Sequence, residues 1–265
     1  MKRWIPFMKT PPRVAVVRLQ GTIASGPRGG LNDAAMAPVI ERAFKRGKPA
    51  AVALVINSPG GSPVQSALIA GRIRRLAEEK DISVHAFVED VAASGGYWLA
   101  CAADDIWADR ASVIGSIGVI SAGFGAEGFI AKHGIERRVH TAGKSKSQMD
   151  PFKPEDPEDV ARLKVILEDM HQIFIDHVQS RRTDRLAQDD TLFTGEFWLA
   201  ERALEKGLID GVGEVNAKMK ELYGDKVQLI PYGRRRSLIQ LMGMNLASDV
   251  LAGVEERAAY ARFGL

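Results

Sequence analysis

An α/β fold built from repeated strand and helix units is the architecture this sequence predicts, and three observations point to it. The run "VAVVRLQGTI" (14–23) is rich in β-branched residues and stands between prolines and a glycine-rich loop. The run "AAVALVIN" (50–57) is apolar without alternation, as suits a strand buried on both faces. A strand, a glycine turn and a helix start then occur in that order twice, at "INSPGGSP" and at "VAASGGYW".

The elements follow in order along the chain. After the first strand, "LNDAAMAPVIERAFKRG" offers Asn32 or Asp33 as N-cap, apolar residues at helical spacing and Gly47 as the stop. The strand at 50–57 leads through "SPGGSPVQ" into a helix ending near Lys80, followed by a strand in "SVHAFVE" and a helix starting near Ser94. "DDIWADRASVIGSIGVISAG" reads as short strands and turns, and "IERRVHTAG" as a further strand before a polar loop. From Pro157 to Arg182 the apolar positions Val160, Leu163, Leu167, Met170, Phe174 and Val178 step by threes and fours, with acids at the start and arginines at the end. That pattern predicts an amphipathic helix with a complemented dipole. "TGEFWLAERALEKGLID" predicts a helix stopped by Gly207, and the apolar stretch from Leu238 to the C-terminus reads as helical, serving either an assembly contact or packing within the chain.

Composition excludes several classes. With 265 residues, 46% hydrophobic and 26% charged, the chain is long enough for a sizeable core and reads as soluble and globular. The net charge of +3 is small, and its basic excess gathers in Arg234, Arg235 and Arg236, as in a solvated loop, so no nucleic-acid partner is expected. Cys101 is the single cysteine, which excludes an intramolecular disulfide and a cysteine-based zinc site. Its setting in "WLACAA" is that of a small buried residue. The opening "MKRWIPFMKTPPR" lacks the apolar core of a secretory signal, and the longest uncharged run, Ala111 to Ala126, is too short and glycine-rich to span a membrane. A cytoplasmic protein is the expectation. Trp4, Ile5, Phe7 and Met8 beside Lys2, Arg3 and Lys9 allow a peripheral contact at the inner face of the membrane, against a docked or disordered terminus as the plainer reading.

The chemistry centres on "NSPGGSP" and "AASGGYW", where glycines stand at a strand-to-helix corner. Backbone N–H groups point outward at such corners, and glycine lets a substrate carbonyl approach them, the geometry of an oxyanion hole. Either motif alone is read more simply as a tight turn. If Ser94 is a nucleophile, a base must take its proton, and none of His85, His133, His140, His171 and His177 stands in a recognisable triad pattern. A lysine can serve instead where burial makes its neutral amine accessible, and "TAGKSKSQMDPF" supplies the candidates.

Taken together, "VVRLQGTI", "INSPGGS", "VAASGGYWLACAAD", "SVIGSIGVI", "TAGKSKSQMDPF" and "FTGEFWLAERALEKGLIDGVG" resemble, in the same order, the signal peptide peptidase A family of serine proteases, in its single-length SohB-like form. The resemblance covers roughly residues 14–215. It implies a crotonase-like (caseinolytic protease-like) fold of repeated strand-strand-helix units and a serine endopeptidase acting on unfolded peptides or signal-peptide-like segments. By position, the family serine falls on Ser94 and the family lysine on Lys146, five residues ahead of Pro151, with Lys144 as the competing base. Gly61 and Gly95 would donate the oxyanion N–H groups, and Ser116 in "GSIG" would hydrogen-bond the neutral amine, against the simpler reading of a turn serine. No metal or cofactor is required. The implied organisation is an N-terminal extension (1–13), a crotonase-like peptidase domain (14–232) and a C-terminal helical assembly segment (233–265). Sites near the interfaces of a homo-oligomer are implied as well. Members of that family usually carry a membrane anchor and many are double-length; neither feature is visible in this chain.

Two other classes compete. Acyl-CoA enzymes of the same fold also polarise a carbonyl with two backbone N–H groups, but work through glutamates, and Glu89 is the one carboxylate of that type near the motif. A non-catalytic assembly module would have no use for Ser94 and Lys146.

Overall fold

The computed structural model describes residues 11–26, 30–233 and 256–265. Its strands β1 (Arg13–Gln20), β2 (Ala51–Ser58), β3 (Ser83–Ala93), β4 (Asp105–Ala108), β5 (Val113–Gly115), β6 (Phe197–Leu199), β7 (Gly211–Val212) and β8 (Gln228–Tyr232) join one sheet. The order is β6-β5-β3-β2-β1-β8, with β4 paired to β3 and β7 to β4, and all pairs are parallel except β5 with β6. β2 is buried along its whole length, as its unbroken apolar run predicts.

The crossovers are α1 (Asp33–Lys45), between β1 and β2, and α2 (Pro63–Lys80), between β2 and β3. Right-handed crossovers place both on one face of the sheet. Asn32 caps α1 by accepting from Ala35 N at 2.9 Å, and Pro63 opens α2 behind the Ser62 cap. Arg72 of α2 grips both carboxylate oxygens of Asp33 at 2.7 Å, locking the two helices together. The hydrogen bonds from this guanidinium outweigh partial burial and, helped by its charge, hold the Asp33 carboxyl below the usual carboxylate range. On the other face, Met219 of α7 (Val215–Tyr223) packs on Val14, Ala51, Ala53 and Phe87.

β3 serves two neighbours in turn. Its first half, His85–Val88, pairs with β4, and its last residues, Val91–Ala93, pair with β5. Between them the register against β2 shifts, from Ile56 opposite Val88 to Ser58 opposite Ala92. Such a bulge bends and twists a strand, which lets β3 change partners. α3 (Gly95–Ala100) starts directly after it.

The chain divides into two compact units, one formed by residues 1–117 and 177–265 and the other by 118–176. The second unit holds α4 (Glu127–Lys132), an irregular loop and most of α5 (Pro157–Arg182). Among the described residues no helix is long and apolar enough to cross a membrane.

Several expectations need correction. The stretch "IERRVHTAG" forms no strand: Ile135 and Val139 are 54% and 38% exposed, and among the described residues no neighbouring strand offers the backbone pairing an isolated strand requires. In "TGEFWLAERALEKG" the bulky Phe197, Trp198 and Leu199 form β6 against β5, so the helix α6 is confined to Ala200–Glu205. The first strand stops at Gln20, and Ile23 instead makes isolated bridges with Leu31 and Gly61. α7 and β8 went unread in the sequence. The N-terminal residues 1–10 and the stretch 234–255, including Arg234 to Arg236, lie outside the described residues.

Two buried groups give tests of this frame. Arg182 is 2% exposed, bonds Gly207 O at 2.9 Å and reaches Asp210 at 2.7 Å. Arg182→Ala should lower the unfolding free energy by about 2–4 kcal/mol in urea titration, less than a fully isolated buried pair would cost. The discount reflects Arg185, which still faces Asp210 at 3.2 Å; a loss near zero would show that the pair is not structural. Cys101 is 1% exposed, and burial, opposed by Arg182, pushes its thiol up to about 12. Folded protein at neutral pH should therefore resist thiol reagents and react only once denaturant unfolds it; labelling of the native state at the rate of a free thiol would contradict this environment.

Candidate active site

Ser94 stands at the corner where β3 becomes α3, with φ 51° and ψ −123°. A non-glycine residue in that region carries strain of about 1–3 kcal/mol and persists only where its surroundings impose it. They do so here. Ser94 N donates to Gly115 O at 2.8 Å, and Ser94 O accepts from Trp98 N at 3.0 Å. α3 behind the corner is buried throughout, with Tyr97 donating to Leu208 O at 2.7 Å. From Val91 to Ala103 every residue is buried except Ser94. Its hydroxyl makes no capping bond to the helix it precedes.

The second glycine motif lies against this corner. A Cβ on Gly60 would come 2.8 Å from Ser94 Cβ and from Gly95 N, and one on Gly95 would lie 3.4 Å from Gly61 N. A Cβ on Gly61, whose φ is 137°, would strike Ile23 O at 2.0 Å, and one on Gly96 would strike Ser58 O at 2.3 Å. Only glycine fits, for steric as well as conformational reasons. In the bridge between Ile23 and Gly61 the bonds run from Ile23 N to Gly60 O (2.8 Å) and from Ser62 N to Ile23 O (2.8 Å). The Gly61 N–H between them takes no part. Gly95 N, at the first position of α3, has no acceptor within the helix either. The structure thus brings the N–H groups of Gly61 and Gly95 to the base of Ser94.

Ser116 joins the same corner, since it follows the Gly115 carbonyl that holds Ser94. Its φ is 53°, it is half-buried, and its backbone N–H, rather than its hydroxyl, bonds to Glu196 O at 2.7 Å. Lys146 and Lys144 belong to the second unit, where both are exposed. Within that unit the lysine loop is stapled: Lys146 N bonds Gly143 O at 3.2 Å, and Asp150 accepts from Ser147 Oγ at 3.3 Å and from Arg137. Arg137 also stacks 4.8 Å over the Phe152 ring.

His85, His177 and Glu89 are occupied elsewhere. His85 is held between Asp105 (2.9 Å) and Tyr223 (2.8 Å) in the first half of β3, away from the Ser94 end of that strand. His177 stacks on Trp98 at 4.5 Å, and burial draws its pKa below the usual histidine value. Both oxygens of Glu89 are taken by Arg18, at 2.9 and 2.8 Å. Among the described residues no group of three or more His, Cys, Asp or Glu side chains could hold a metal ion. Sequence reasoning missed the steric parts played by Gly60, Gly96 and Ile23; the doubled glycines were a signal for the first two, and Ile23 carried none.

Comparison with known proteins fits this arrangement. Residues 76–228 match the family "Peptidase family S49". The chain is 44% identical over 286 residues to the Na(+)/H(+) antiporter NhaA of Brucella abortus, a match that takes in 100% of this chain and 39% of that protein. To the probable protease SohB of Haemophilus influenzae it is 31% identical over 193 residues, covering 72% of this chain and 54% of the relative. To the chloroplastic serine protease SPPA of Arabidopsis thaliana it is 29% identical over 254 residues, 91% of this chain and 36% of the relative. The chain thus spans a little over a third to a little over half the length of these relatives. Among solved structures, a substrate-peptide complex of a lysine-to-alanine mutant of the 1510-N membrane-bound stomatin-specific protease superposes with a TM-score of 0.55 at 16% identity, over 91% of this chain and 100% of that one. A serine-to-alanine mutant of the same protease gives 0.53 at 17%, over 86% and 100%. The fold is crotonase-like, as the motifs implied. With more than half of its length inside the family match and the strained serine corner within that part, the chain belongs to peptidase family S49.

Proposed function

We propose that this chain is a serine endopeptidase in which Ser94 and Lys146 form the catalytic dyad. The observation that carries the reading is the Ser94 corner: a strained, solvent-reaching serine in an otherwise buried run, with two N–H groups from separate glycine loops at its base. Ser94 Oγ attacks the scissile carbonyl while its proton passes to the neutral amine of Lys146. The carbonyl oxygen gathers charge facing the N–H groups of Gly61 and Gly95. The proton then moves to the leaving amine, the C–N bond breaks, and water hydrolyses the Ser94 ester by the same route in reverse. Ser116 would hold the lysine amine. Lys146 is assigned by its place in "KSQMDP", and the chemistry of the dyad needs no metal.

The substrate class is an extended, unfolded peptide, including signal-peptide-like segments, supported by the relatives named as proteases and the peptide bound to a structural neighbour. The acyl-CoA alternative would need Glu89 as an acid or base, and the Arg18 fork on both its oxygens makes it a poor one. Assembly into a homo-oligomer accords with the apolar surface of the second unit, where Phe124, Ile120 and Phe129 are 94%, 66% and 63% exposed.

Ser94→Ala should abolish hydrolysis of a short unstructured peptide without changing the circular dichroism spectrum, because the hydroxyl makes no capping bond. Turnover equal to wild type would end the peptidase reading. Lys146→Arg should be equally inactive, since a guanidinium does not deprotonate; activity in Lys146→Arg with loss in Lys144→Ala would move the base to Lys144. If neighbouring subunits complete each site, mixing Ser94→Ala with Lys146→Ala chains should restore roughly a quarter of the sites at equal ratio. No recovery in oligomers shown to be mixed would place both residues in one chain.

A further inference from the structure

The segment 256–265 lies across the strand ends that carry the site. It opens with a helical turn at 256–261. Tyr260 donates its hydroxyl to Asn57 O at 2.8 Å, a carbonyl that already accepts from Gly21 N at 2.9 Å. Tyr260 and Phe263 pack on Val91, Ala93 and Val113, and Phe263 meets Phe197 edge-on with ring centres 5.1 Å apart. The Glu256 carboxylate lies beside Gly21, at 2.9 Å from where a Cβ there would stand. One short segment therefore touches the ends of β1, β2, β3, β5 and β6.

Its position coincides with a break in the sheet. The two N–H donors of the site come from different loops, Gly61 after β2 and Gly95 after β3, so their separation depends on how firmly those strand ends are held to each other. Backbone pairing falters at that point, because the register shift between Ile56 and Ser58 leaves Asn57 outside the regular β2–β3 ladder. The Asn57 side chain bonds Asp90, inside the bulge of β3. The Tyr260 hydroxyl takes hold of the Asn57 backbone itself. The same segment seats aromatic rings on Ala93, one residue before Ser94, and on Val113, two residues before the Gly115 carbonyl that fixes Ser94. Burial, with Glu256 and Asp90 nearby, pushes the Tyr260 phenol up to about 12, so the hydroxyl keeps its proton and stays a donor at neutral pH.

We propose that the C-terminal segment is a positioning clamp for the oxyanion site: Tyr260 holds the end of β2, and through it the Gly60–Gly61 loop, while Phe263 holds the ends of β3 and β5 that fix Ser94. Tyr260 touches neither substrate nor the reacting atoms and acts through the backbone of Asn57. The inference rests on the reading of Ser94 as nucleophile and of Gly61 and Gly95 as donors.

Tyr260→Phe removes the hydroxyl and leaves the ring on its apolar seat. It should lower kcat on an unstructured peptide about threefold to tenfold, the scale of one net hydrogen bond spent on geometry, with KM within about twofold of wild type. Amide hydrogen exchange across 57–61 should quicken while the remaining strands exchange as before. Phe263→Ala, which loosens the other end, should lower kcat in the same sense. Unchanged kcat in Tyr260→Phe overturns the positioning role, and so does a rise in kcat, which would make the segment an obstruction. If the wild-type chain shows no Ser94-dependent turnover, the nucleophile reading fails on its own, and exchange at 57–61 still decides the clamp: faster exchange in Tyr260→Phe upholds it and unaltered exchange overturns it.

Discussion

The hydrogen bond from Ser94 N to Gly115 O closes the corner on which the site depends. It ties the end of β3 to the end of β5 at a residue whose backbone is strained, and it brings Ser116 alongside. Strain at one residue is affordable only when many ordinary contacts oppose its release. Here they come from a fully buried α3, from Trp98 bonded back to Ser94 O, and from a glycine loop packed against the serine's own Cβ. The hydroxyl is then left at the surface as the least buried part of a buried segment.

The strand change of β3 has a similar logic. A strand that paired β4 along its whole length would bring its last residues to that neighbour. The bulge after Val88 turns the strand so that Val91–Ala93 meet β5 instead. The site is therefore assembled where regular pairing is weakest, at the C-terminal ends of parallel strands, the customary position of binding crevices in α/β sheets.

Much of this was legible in the sequence wherever a local signal carried it. The apolar run at β2, the Asn32 cap and the Pro157–Arg182 stripe are each decided by residues within one or two turns, and the structure has them where expected. Gly61, Gly95 and Ser94 could be read together only because the motifs that carry them occur jointly and in the order of the family they resemble; either doubled glycine alone reads as a turn. What escaped were features set by distant partners. "IERRVHTAG" carries β-branched residues but, among the described residues, has no strand paired with it, and "EFWL" forms one because β5 is there. The aromatic contacts of Tyr260 and Phe263 depend on residues far away along the chain, and no periodicity announces them.

The lone cysteine has a consequence beyond packing. Cys101 is sealed behind α3 with its thiol held in the protonated form, and the sequence contains no second cysteine with which it could pair. Peroxides and disulfide exchange both act on an accessible thiolate, which the folded chain does not present. The serine corner thus sits on a frame indifferent to the redox potential around it, equally sound in oxidising and in reducing surroundings.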